Sequence, residues 1–107
     1  MPTLVLLSNV LALLNAVAAA VAPGSTFALP SRATQVTWQT VYGTAPASIT
    51  IQLQISMDGT NWSTVDSSTN VNGEAKTVQF NAPFVRGNIS AITGGTTVSL
   101  LIDARDL

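Results

Sequence analysis

Between positions 48 and 56 the chain alternates without a fault. Ile49, Ile51, Leu53 and Ile55 fall on one side, and Ser48, Thr50, Gln52, Gln54 and Ser56 on the other. Only an extended backbone sends every second side chain to the same face, so this stretch reads as a strand with one buried face and one neutral polar face. The same period runs through 35–42, where Val36, Trp38, Thr40 and Tyr42 oppose Gln35, Thr37 and Gln39. It returns over 97–104, with Val98, Leu100, Ile102 and Ala104 against Thr97, Ser99, Leu101 and Asp103.

Turn signals join these strands. Met57-Asp58-Gly59-Thr60 supplies the positive φ of a tight hairpin, so Asn61-Trp62-Ser63-Thr64-Val65 is expected to be the returning strand. Asn72-Gly73 leads into 75–80, where Val78 and Phe80 share a face. A further strand over 84–92 sets Val85, Ile89 and Ala91 opposite Phe84, Arg86 and Asn88, and Thr93-Gly94-Gly95-Thr96 closes it. Pro2, Pro23, Pro30, Pro46 and Pro83 all fall between the proposed strands, where a missing N–H costs least. The expected architecture is a small antiparallel β-sandwich, jelly-roll-like, with an apolar N-terminal arm. Its expected division is an arm or first strand over 1–22 and the sandwich over 23–107.

With 107 residues there is material for one such domain. Charged residues are 8% of the chain against a usual ~25%, while apolar residues reach 47%. That balance is too apolar for disorder and too neutral for binding nucleic acid through its phosphates. There is no His and no Cys. The chain therefore lacks the usual general base near neutral pH, the thiol nucleophile and the two commonest ligand types of zinc and copper sites. No catalytic residue, metal site or cofactor is expected.

The N-terminal segment leaves several readings open. Residues 1–22 carry no charge and are mostly Leu, Val and Ala. Leu4, Leu7, Leu11 and Leu14 with Val10, Val17 and Val21 fit a helix face, yet a continuous apolar run fits a buried strand equally well. A membrane span or a secretory signal ranks below a structural role, because Ser8, Asn9 and Asn15 interrupt the run and no Lys or Arg flanks it before Arg32. Left in water the segment would aggregate, so it needs the core or a partner. Leu4, Leu6, Leu7, Val10 and Leu11 are the candidate partner-binding residues.

Asp58, Asn61 and Trp62 form a second candidate, a glycan or calcium site, since an aromatic face stacks on a sugar and a carboxylate holds a hard cation. The competing structural reading is that Asp-Gly serves the turn alone and Trp62 belongs to the core. Asp103 and Asp106 have Arg105, Arg86 or a neighbouring subunit as candidate partners, but exposed ion pairs contribute little, so they read as solvated unless an interface buries them. The many Ser and Thr residues have no believable activating base.

Leu13-Leu14-Asn15-Ala16-Val17, Pro23-Gly24-Ser25 and Ser31-Arg32-Ala33-Thr34-Gln35-Val36 resemble the opening of small virion structural proteins of tailed bacteriophages. The middle is similar too: Ser56-Met57-Asp58-Gly59-Thr60-Asn61-Trp62, then Phe84-Val85-Arg86, then Thr93-Gly94-Gly95-Thr96 before a last apolar strand. The Ser-x-Asp-Gly-x-x-Trp turn also resembles that of discoidin-like sugar-binding sandwiches. Residues 1–12 extend the familiar opening and have no counterpart in it. The phage resemblance implies a non-enzymatic capsid cement or decoration protein, or a neck or tail component. Its implied partners are the major capsid protein and further copies of the chain, with no nucleic acid and no membrane. The implied location is the capsid surface. The alternatives are a tail or fibre module recognising host glycan and a secreted adhesin domain.

Overall fold

The computed structural model describes residues 10–29 and 35–105. Nine strands follow one another: β1 (Val10–Ala18), β2 (Ala22–Pro23), β3 (Phe27–Ala28), β4 (Gln35–Tyr42), β5 (Ser48–Ser56), β6 (Ser63–Ser68), β7 (Ala75–Gln79), β8 (Phe84–Thr93) and β9 (Thr97–Arg105). They form two sheets, one ordered β1-β9-β4-β7 and the other β2-β8-β5-β6, with β3 also paired to β8. Every pairing is antiparallel. This is the β-sandwich that the alternation demands.

The inward faces of the longer strands supply the core. Val36 and Trp38 on β4 meet Ile51 and Leu53 on β5, Val85 and Ile89 on β8, and Leu100 and Ile102 on β9, all essentially without solvent contact. Burying a side chain of this kind contributes about 1.5–3 kcal/mol, so these alternating positions carry most of the drive to fold.

Of the two conformations open to the apolar N-terminal run, its described part takes the extended one. β1 pairs with β9 from Val10↔Asp103 to Ala18↔Thr97 and buries Leu13 and Leu14. A helix would satisfy the same apolar spacing locally, but it would leave the free edge of β9 without hydrogen-bond partners. β1 is not regular: its register shifts after Ala12 and again after Leu14. At the second shift Ala16 adopts φ +51°, and its N–H turns to Ser99 Oγ at 2.9 Å.

Four details depart from the alternation. Ser56, placed on the polar face, is buried at the end of β5, where its hydroxyl accepts from the backbone N–H groups of Asp58 and Gly59. The return strand β6 starts at Ser63, not Asn61, because the backbone N–H of Asn61 is still engaged by the Asp58 turn. Ala91 lies on the surface and not with Val85 and Ile89, because a bulge at Ser90 shifts the register between Thr50↔Ala91 and Ile51↔Ile89. The inward position passes to Ile92, which packs on the core. Pro23 lies inside β2 and not between strands, tolerated because β2 is an edge.

Polar ties close one margin of the sandwich. Trp38 is buried in the first sheet, and its indole Nε1 donates to Asp66 Oδ2 on β6 of the second sheet at 2.9 Å. Lys76 on β7 meets Asp66 Oδ1 at 3.1 Å and donates to the Ser67 carbonyl at 2.7 Å. One turn further on, Glu74 accepts from Ser68 Oγ, and its backbone N–H donates to Thr40 Oγ1 at 3.1 Å. The connection between β6 and β7, which crosses from one sheet to the other, is thereby fastened to both layers.

Candidate functional site

The Asp58 turn is a hydrogen-bonded knot. Asp58 Oδ1 accepts from Ser56 Oγ at 2.9 Å and from the backbone N–H groups of Thr60 and Asn61, both at 2.8 Å. Asp58 Oδ2 accepts from Asn61 Nδ2 at 2.7 Å. Gly59 follows at φ +78°, the left-handed step that an Asp-Gly turn requires. Backbone donation from Asn61 and Thr60, followed by the side chains of Asn61 and Ser56, holds the Asp58 carboxyl far below its ordinary range. The sequence thus brings Asp58 and Asn61 together, but as partners of each other. A shallow depression of about 200 Å³ lies beside them, lined in part by Met57 and Ser63.

Trp62 is not with them in that depression, nor is it in the core; Trp38 is the core tryptophan. Trp62 is half-buried, and its ring lies 4.5 Å from the Arg86 guanidinium carbon. Arg86 Nε donates to Gln54 Oε1 at 2.8 Å. Gln54 Nε2 donates to Gln52 Oε1 and to Thr64 Oγ1, both at 3.2 Å, and Asn88 Nδ2 donates to Gln52 Oε1 at 2.9 Å. Reasoning from sequence missed Arg86, Gln52, Gln54 and Asn88 as a set. The signal was present in the polar phases of two strands, but the register that joins those phases is not written in either strand alone.

Among the candidate partner-binding residues, Leu4, Leu6 and Leu7 lie outside the described residues. Val10 opens β1, and Leu11 is half-buried against the core. Between β1 and the 22–27 segment runs an apolar cleft of about 500 Å³, whose lining includes Leu13, Val17, Ala20, Phe27 and Ile89. Among the described residues no three His, Cys, Asp or Glu side chains gather as metal ligands. No described helix is long and apolar enough to cross a membrane.

In class the chain is a two-layer antiparallel β-sandwich bearing a polar ladder on one outer face and an apolar cleft at one edge. No family model matches the sequence, and no curated protein matches it. Among solved structures it is similar to the SPBc2 prophage-derived protein YomS, with a TM-score of 0.62 and 14% identity over 94% of this chain and 98% of that one. It is also similar to the PBSX exported protein XepA, with a TM-score of 0.66 and 14% identity over 97% of this chain and 40% of that one. The chain thus spans about two fifths of the length of XepA. The likeness is one of fold, shared with phage-related proteins.

Proposed function

We propose that the chain is a non-enzymatic structural protein of a bacteriophage particle, acting as a cement or decoration subunit on the capsid surface. Its partners on this reading are the major capsid protein and further copies of itself. The shared fold with two prophage-derived proteins supports the phage setting.

The observation that carries the cement role is the disposal of charge. Lys76 and Asp66 neutralise each other across the β6–β7 connection, Asp58 is spent on its own turn, and Glu74 is hydrogen-bonded to Ser68. What β4 and β7 offer outward is neutral: Thr37, Gln39, Thr77 and Gln79 are exposed, with Thr37 and Thr77 hydroxyls 3.0 Å apart. A neutral face of hydroxyls and amides is covered by a partner without the several-kcal/mol penalty of desolvating an ion. Each such contact, made to the assembled lattice and not to free capsid subunits, shifts the equilibrium away from rupture by mass action. The two acids with shifted pKa values are both held ionised, the opposite of what a general acid requires.

The deciding experiment is the copy number of this protein relative to the major capsid protein in purified particles, by quantitative mass spectrometry. Copies comparable with the capsid protein are expected. A small symmetric number would move the protein to the neck or tail, and absence from particles would refute the virion reading. The arm enters the mechanism as a second contact: removing residues 2–9, which precede β1, is expected to abolish capsid binding while the sandwich stays folded. Retained binding would remove Leu4, Leu6 and Leu7 from the interface.

A further inference from the structure

The outer face of the second sheet carries a constellation that a lattice contact does not require. Arg86 on β8, Gln54 on β5 and Thr64 on β6 stand side by side in register, and Asn88 with Gln52 makes the next row. Rows two residues apart along a strand are about 7 Å apart. Matched amides explain themselves as cross-strand pairs. The cation among them does not, because any polar side chain would complete that ladder.

Two basic side chains are described in a chain nearly devoid of charge. Lys76 is paired with Asp66, whereas no described carboxylate pairs with Arg86. Arg86 is instead held twice over: at Nε by Gln54 Oε1, and across one flat face by the Trp62 ring. Both restraints leave the Nη edge of the guanidinium uncommitted. A side chain already fixed in this way loses little further freedom when it binds.

The geometry points to Arg86 as the anchor of a binding site for an anionic glycan, a chain of uronate-type sugars lying across the two rows. The carboxylate meets the Nη edge, the fork-to-fork pairing that a guanidinium offers and an ammonium does not. Gln52 and Asn88, one row on, present amide donors and acceptors suited to sugar hydroxyls. The charge argument selects an anionic ligand, and the separation of the rows selects an extended one. A flat amide face with no apolar pocket in it favours sugar over the side chains of an acidic peptide.

The test is a nuclear magnetic resonance titration of the intact chain with an alginate hexamer. The Trp62 indole N–H and the side-chain amides of Gln52, Gln54 and Asn88 are the reporters. Saturable shifts confined to this face are expected, weakening as salt is raised. Arg86→Gln is expected to weaken binding by about tenfold or more, and Asn88→Asp, which places a carboxylate beside an untouched Arg86, by several-fold. The buried Trp38 indole signal reports folding in each variant, and Asn88→Asp carries the test if Arg86→Gln disturbs it. A neutral dextran hexamer is expected to leave the signals unmoved, and free glucuronate to bind at least about tenfold more weakly than the hexamer. The assignment is overturned if alginate produces no shifts, if dextran or polyglutamate matches it, if free glucuronate binds as tightly, or if the variants bind undiminished.

Discussion

Replacing Asp66 by Ala is expected to loosen the sandwich through an atom that Asp66 does not own. With the carboxylate gone, the Trp38 indole N–H, on a residue 1% exposed, loses its acceptor. A buried donor left unmatched costs about 1–3 kcal/mol. The lost pair with Lys76, whose side chains are 34% and 22% exposed, adds about 0–1 kcal/mol. The expected sum is about 1–4 kcal/mol, a sizeable share of the roughly 5–15 kcal/mol that holds a domain together, and it corresponds to a fall in Tm of roughly 4 °C or more. Urea unfolding followed by tryptophan fluorescence reads it directly. Asp66→Asn keeps an oxygen for Trp38 and discards only the charge, so it is expected to cost about 1 kcal/mol or less. If Asn costs as much as Ala, the charge and not the acceptor matters. A loss below about 0.5 kcal/mol for Asp66→Ala would refute the tie altogether.

Further predictions concern pH, backbone and burial. Asp58 is lowered by its turn, while at Asp66 burial alone would raise the carboxyl and the hydrogen bonds from Trp38, Lys76 and the Ser67 N–H outweigh it. Folded pKa values below the ordinary 3.8 mean that both acids stabilise the fold above that pH. Their contribution is lost as pH falls through the folded values. Acid unfolding curves should therefore decline below about pH 4, and less steeply in Asp58→Asn. Gly73→Ala places a Cβ 2.5 Å from the Thr40 carbonyl oxygen at φ +83° and should cost at least about 2 kcal/mol by chemical denaturation. Gly59→Ala, whose Cβ meets nothing nearer than the Phe84 ring at 3.8 Å, should cost only the left-handed penalty of about 1–2 kcal/mol. The Tyr42 hydroxyl is buried with no described partner in hydrogen-bond geometry. Burial pushes its pKa up against the weaker pull of Thr40. Tyr42→Phe should leave the unfolding midpoint unchanged or raised.

The strands were legible because a half-buried sheet writes itself at a period of two. Residues 35–42 and 48–56 carry that period unbroken, and β4 and β5 occupy those positions. Where the period fails, reading fails with it. The bulge at Ser90 moves Ala91 outward with no local sign, since Ser and Ala suit either face. A continuous apolar run has no phase, so β1 could not be told from a helix. The Trp38–Asp66 tie joins residues 28 apart, and the Arg86–Gln54 contact joins residues 32 apart. Such contacts exist only once a register has been chosen among several. Trp62 marks the same limit, for alternation identifies the outer face of β8 without saying that an aromatic just before β6 will lie against its Arg86.

The order of strands in the first sheet has a consequence for how the chain is made. β9 lies between β1 and β4, yet it emerges from the ribosome after every other described strand. Until then β1, rich in Leu, Val and Ala and without a charge, has no hydrogen-bonded neighbour, and Trp38 sits on a strand with one open side. Sheets that close through their latest segment fold slowly and expose sticky edges while they wait. A chain ending before Thr97 would hold a nearly complete second sheet beside an unpaired apolar strand. The vulnerable moment in the life of this protein thus falls before β9 inserts between β1 and β4.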